Sequence, residues 1–239
     1  MTSRLAWAWA MLARYQQARE LNEDTLDRRR RVLGPDHPAT LASAYSLAFN
    51  LHALGQVEAA RELNEDTLNR CQRVLGPDHP DTLISASNLA LDLHALGHYE
   101  PARKLAEDTL DRCRQVLGPD HPSTLASADS LACGLRALGQ VEAARELNED
   151  TLDRRRRVLG PDHPDTLISA TSLALDLHAL GQHEAARELN EDTLDRRWRV
   201  LGPDHPDTVE SANNLALDLR ALGQVEAARQ LEADTAQQH

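Results

Sequence analysis

Five Asp-His pairs stand in the chain: Asp36-His37, Asp78-His79, Asp120-His121, Asp162-His163 and Asp204-His205. A carboxylate beside an imidazole is a pair of metal ligands or an acid–base couple. Each pair lies in a Gly-Pro-Asp-His-Pro pentapeptide, and successive copies are 42 residues apart. That spacing decides against a shared ion, because packed helices lie ~8–10 Å apart and zinc ligands lie ~2 Å from the metal. The pairs are therefore expected to form turns and helix caps. His94 and His98 are four residues apart, but Gly97 breaks a helix between them, and no zinc site is expected there.

The runs Arg28–Arg31 and Arg154–Arg157 could hold phosphate. Four consecutive helical residues point around most of a circumference, however. The first and last Arg of each run also follow acids by four residues (Asp24 and Asp27; Asp150 and Asp153). A solvated, internally paired helix end is expected. Cys71 and Cys113 occupy equivalent places where other copies have Arg, and nothing near them marks a nucleophile. The sequence contains no phosphate-binding Gly loop, His-Glu-x-x-His, Cys-x-x-Cys or Gly-x-Ser-x-Gly. These residues point to no enzyme, no cofactor and no metal.

Composition narrows the classes further. The chain has 239 residues, with 26 Lys+Arg against 38 Asp+Glu and a formal charge of −12. That balance argues against nucleic acid as a partner. No run approaches the ~18 apolar residues of a membrane span. Three cysteines cannot all pair with one another, which fits a reducing, cytoplasmic setting. Leu5–Ala13 has the look of a short signal peptide, yet it aligns residue for residue with later helical segments and is read as a helix.

The elements that position these residues repeat. Five glycines besides those of the pentapeptides (Gly55, Gly97, Gly139, Gly181, Gly223) recur at the same interval of 42. A period in this range means a stacked array. In one unit, Leu83, Ala86, Leu89, Ala90, Leu93 and Leu96 share a helical face. Pro80 suits a first helical position and Gly97 a left-handed end. The second helix of the neighbouring unit places Val57, Ala60, Leu63, Thr67, Cys71 and Val74 on one face. Its acids crowd the start and its arginines the end, as the helix dipole favours. The expected fold is all-α: six stacked antiparallel helix-turn-helix hairpins, twelve helices and no sheet. The repeats fall at about 1–40, 41–82, 83–124, 125–166, 167–208 and 209–239 of a single array, the first and last incomplete.

Leu89-Ala90, Leu93, Gly97, Tyr99 and Ala102 resemble in their spacing the signature of the tetratricopeptide repeat. The unit is eight residues longer than the family's 34-residue norm, and Ala stands where that family has a large aromatic (Ala44, Ala86, Ala128, Ala170, Ala212). The longer form is similar to that of kinesin light chains and of bacterial signalling proteins that carry an NTPase module. The resemblance implies a right-handed α-solenoid, or superhelix, whose concave face grips peptides or partner helices.

The repeats differ from one another in an orderly way. Ala18–Pro38 is identical to Ala144–Pro164, whereas the first helices vary at their second, fifth, ninth and twelfth places. Spacings of three, four and three put these places on one face. The groove expected there comprises Trp7, Tyr45, Phe49 and His52; Ser87, Leu91 and His94; Asp129, Cys133 and Arg136; Thr171, Leu175 and His178; and Asn213, Leu217 and Arg220. Phe49, Leu91, Leu175 and Leu217 form an apolar track beside a His/Arg rail suited to carboxylates or carbonyls. The function expected is a non-enzymatic interaction scaffold that holds a protein or peptide, as the sensor part of a larger signalling protein. Near-identical repeats also allow self-association through the ends of the array, as a second reading.

Overall fold

The computed structural model describes the backbone of residues 2–237 and the side chains of residues 15–235. Its helices are α1 (Thr2–Leu33), α2 (Pro38–Ala53), α3 (Val57–Val74), α4 (Pro80–Ala95), α5 (Tyr99–Val116), α6 (Pro122–Ala137), α7 (Val141–Val158), α8 (Pro164–Ala179), α9 (His183–Leu201), α10 (Pro206–Ala221) and α11 (Val225–Gln237). No strand occurs among the described residues. The chain divides into two compact units, one of Trp7–Leu138 and the other of Gly139–His239 together with Met1–Ala6.

Among the described residues there are eleven helices rather than the expected twelve, because α1 continues for 32 residues without a turn. The reason is one substitution. Ala13 stands in the register of Gly55, Gly97, Gly139, Gly181 and Gly223, all of which adopt φ between +74° and +80°. A left-handed turn costs an L-residue with a Cβ roughly 1–2 kcal/mol, so the chain stays helical through Ala13. The side chains of Trp7, Trp9 and Met11 lie outside the described residues.

Four of the five residues of the pentapeptide have a structural task. In Gly-Pro-Asp-His-Pro at 76–80, Gly76 takes φ +93° and Pro80 opens α4. His79 caps the helix, its Nδ1 accepting the Asp81 N–H at 3.2 Å, and His37, His121, His163 and His205 do the same for their helices. The loop carboxylate reaches the next repeat instead: Asp36 to Arg70 at 2.8 Å, Asp78 to Arg112 at 2.8 Å and Asp162 to Arg196 at 2.7 Å. The Arg70 guanidinium holds the Asp36 carboxyl below the usual carboxylate range. Imidazole and carboxylate are thus adjacent in sequence and engaged in different places.

The core lies between repeats. Leu26 packs with Ala44, Leu47, Leu51 and Ala60; Leu68 with Ala86 and Leu89; Leu152 with Ala170 and Leu173. Each cluster takes one leucine from the second helix of a repeat and the rest from the following hairpin, so a single hairpin leaves its apolar faces open. The buried face of α3 is Ala60, Asn64, Thr67, Leu68 and Cys71. Val74, expected on that face, is exposed, because the inward stripe drifts across the longer helix and passes through Leu68 and Cys71 instead.

The arginine runs are not wholly solvated, as had been expected. Arg28 and Arg154 pair with Asp24 and Asp150 in solvent, but the next residue turns inward. Arg29 donates to Ala39 O and Ser43 Oγ, and Arg155 to Asp165 O and Ser169 Oγ. Arg197 does likewise toward Asp207 O and Ser211 Oγ. Cys71 and Cys113 fill this slot in the other two repeats, with Sγ 3.8 and 3.6 Å from Ser85 and Ser127 Oγ. A guanidinium that ties a helix to the first two turns of the next one is buried for its donors rather than repelled for its charge.

Candidate functional site

The varied stripe comes from the first helices of the repeats, and its apolar track is open. Phe49, Leu91 and Leu217 are 57%, 41% and 50% exposed, and Leu175 is half-buried. Exposure of large apolar side chains at one recurring helical place is the pattern of an unpartnered face. Tyr45 is half-buried, and that burial pushes its phenol pKa up. Asp129, Cys133 and Arg136 are half-buried, and Asn213 is exposed. Arg220 reaches Glu232 at 2.5 Å. Two residues of the fifth place serve the scaffold itself: Ser87 Oγ lies 3.0 Å from Ser127 Oγ, and Thr171 is buried with its hydroxyl on Leu167 O. Trp7 lies outside the described side chains.

Beneath the stripe is a feature that the sequence reading passed over. The residue after Leu91 is Asp92, and it is 1% exposed. A buried carboxylate must be paired, and two other helices supply the partners. His52 Nδ1 lies 2.7 Å from Oδ1, and the Asn64 amide donates to Oδ2 at 2.7 Å. Because a carboxylate only accepts, the amide must turn its NH2 toward Asp92. This leaves Asn64 Oδ1 as a buried acceptor with no partner. In the other unit, His178 and Asn190 hold Asp218 at 2.6 and 2.7 Å, and Asn148 donates to Asp176 at 2.5 Å. His52 and His178 thus lean onto carboxylates of their own chain. Asp92 raises the His52 pKa, chiefly through the hydrogen bond, against the opposing effect of burial.

In the repeat that follows Asp92, the carboxylate and the amide are missing together. Gly134 stands where Asp92 and Asp218 stand, and Ala106 where Asn64 and Asn190 stand. Both positions are buried. His94 therefore has no carboxylate to meet; its Nε2 lies 3.5 Å from Cys133 Sγ and its ring 5.2 Å from that of Tyr99. Burial, then the charge of Arg136, pushes the His94 pKa down. The paired change from Asp/Asn to Gly/Ala is the sequence signal that could have located the buried network.

A small cavity of about 50 Å³ opens where track and network meet, lined by Ala48, Phe49, His52, Asn64, Asn88, Leu91 and Asp92. It joins three residues of the expected groove, Phe49, His52 and Leu91, to the Asn64 amide. The Tyr15 ring stands edge-on to Phe49, with centroids 6.4 Å apart. The geometry offers apolar contact with a hydrogen-bonding floor. No helix among the described residues is long and apolar enough to cross a membrane.

Models of the tetratricopeptide repeat match residues 6–69, 40–115, 102–156, 134–197 and 208–237. No curated protein sequence matches the chain. Among solved structures, a kinesin-light-chain-type protein of nearly identical TPR-like repeats from Podosopora anserina is 34% identical. It covers 84% of this chain and 94% of its own, with a TM-score of 0.73. BtubC (BKLC) from P. vanneervenii shares the fold at 18% identity, covering 93% and 90% of the two chains with a TM-score of 0.76. NprR, solved with its cognate peptide NprX, shares it at 16% identity, covering 95% and 65% with a TM-score of 0.65. Hairpins of 42-residue period, cores shared between repeats and these matches agree: the chain belongs to the tetratricopeptide repeat family, in its kinesin-light-chain-like form.

Proposed function

We propose that this chain is a non-enzymatic interaction scaffold that holds an extended peptide or a partner helix on the varied face of its first helices. The observation that carries the reading is the cavity at Phe49, His52 and Leu91, where exposed apolar side chains surround a buried amide acceptor. A peptide side chain fits the apolar rim, and a peptide N–H satisfies Asn64 Oδ1, which otherwise carries an unmet hydrogen bond. The NprR neighbour, solved with a peptide, supports the same use of the fold. Phe49→Glu combined with Leu91→Glu changes only exposed side chains. The double variant is expected to lose partner capture from native lysate while keeping its helical circular dichroism. Capture equal to wild type would overturn the groove.

A second observation favours self-association. A cavity of about 220 Å³ lies in the final hairpins, lined by Leu194, Trp198, Pro203, Ala212 and Leu231 among others, with Trp198 53% exposed. The equivalent crevice at Leu68, Pro77, Ala86 and Leu105 is about 50 Å³ and is lined by Arg112, which is tied to Asp78. An aromatic beside an open apolar crevice is a fitting seat for a second copy. Light scattering over a concentration series tests it, with a constant monomer mass ruling it out.

A further inference from the structure

We propose that His178, His183 and Asp218 form a binding site for a divalent transition-metal ion of the zinc class. One ring nitrogen of each histidine and one oxygen of Asp218 lie within 4.8 Å of one another, the one cluster of three such donors among the described residues. Imidazole and carboxylate suit zinc, with bonds of about 2.0–2.2 Å. Tetrahedral ligands then stand roughly 3.3 Å apart, so the donors close on an ion by side-chain rotation.

The surroundings prepare each donor. Asn190 holds Asp218 through Oδ2 at 2.7 Å, which turns Oδ1 toward His178 at 2.6 Å. This is the outer hydrogen bond that fixes a metal-ligating carboxylate. The His183 ring stands edge-on to His178, with centroids 4.8 Å apart. His183 Nδ1 is buried and has no hydrogen-bond partner. A buried imidazole nitrogen without a hydrogen bond, close to a His–Asp pair, has a lone pair to give, and a cation accepts it. The ion takes the place of the proton between His178 and Asp218, and neutral His178 carries its proton on Nε2. The His178 side chain is 37% exposed, so an ion can enter and water can complete the coordination.

The repeats supply an internal control. His52, Asp92 and Asn64 reproduce His178, Asp218 and Asn190, but Val57 occupies the place of His183, as do Val141 and Val225 in other repeats. Two donors remain there instead of three.

The test is equilibrium dialysis of the untagged full chain against zinc alone at neutral pH, with elemental analysis. Wild type is expected to take up one ion per chain. His183→Val restores the residue found in three other repeats and is expected to take up none at the same free zinc. Val57→His builds the missing donor beside His52 and Asp92 and is expected to raise the loading to two. Equal loading of wild type and His183→Val would overturn the site, as would the absence of zinc in wild type or of any gain in Val57→His. The gain arm stands even if the His183 variant proves unstable.

Discussion

His52 and His94 occupy the same place in consecutive repeats, yet their surroundings drive them in opposite directions. Asp92 meets the first at 2.7 Å and raises its pKa, whereas Gly134 leaves the second without a carboxylate and burial lowers it. Both start from an ordinary value of 6.5. The stabilisation from His52 is fully present below the unfolded value and is lost as pH rises through the higher folded value. His94 acts oppositely: the fold favours its neutral form, so its contribution is present above the unfolded value and is lost as pH falls through the lower folded one. Imidazole NMR titration is expected to place His52 above 6.5 and His94 below it. The reverse order would refute the assignment of Asp92 as the cause.

The Asp92–Asn64 contact should behave as a unit. Asp92→Ala leaves the Asn64 amide and the His52 ring unpaired, and Asn64→Ala leaves Asp92 Oδ2 without its donor. Each buried loss costs about 1–3 kcal/mol. The double variant Asp92→Ala/Asn64→Ala removes both ends and approaches the Gly134/Ala106 combination found in the chain itself. It is expected to fall short of the summed single costs by about 1 kcal/mol or more, measured by urea unfolding. Strict additivity would count against the network.

The hairpins were legible because the turn residues do one thing each: Gly takes a positive φ and Pro opens a helix, every 42 residues. The unbroken α1 was not foreseen, because helical periodicity alone hides the missing turn, although Ala13 lacks the freedom of Gly97. The buried Asp92 was not legible from local pattern. An acid between Leu91 and Leu93 looks solvent-facing until Asn64, 28 residues earlier, and His52, 40 residues earlier, are placed against it. The same holds for His183, which comes near Asp218 of the next hairpin, donor atoms within 4.8 Å. Arg29 differs: Cys71 in its register was a visible sign that the slot faces inward.

Gly134 lies within α6, and a Cβ added there would meet Arg103 backbone and Cβ atoms at 3.7–3.9 Å, ordinary contact distances. Its backbone has no left-handed φ to protect. Gly134→Ala should therefore remove helix-interior flexibility without strain, stabilising the chain by about 0.5–1 kcal/mol. Thermal melting checks this, and a lowered midpoint would mean that the neighbouring helix cannot give the room.

Arg197 is 3% exposed and ties α9 to the first two turns of α10 through Asp207 O and Ser211 Oγ. Arg197→Ala leaves a void and two acceptors without their donor, for about 2–3 kcal/mol. Arg197→Cys places there the residue that the slot holds at Cys71 and Cys113, and should cost less. The natural thiols report on the same slot. Cys71 and Cys113 are fully buried, and burial pushes both pKa values up, which keeps them as unreactive thiols. Cys133 is only half-buried. A thiol-specific reagent is therefore expected to modify Cys133 alone in the folded protein and all three cysteines after denaturation. Equal native rates would show that the slot opens on the timescale of the reaction, so that its packing does not bind the repeats as the hydrogen bonds imply.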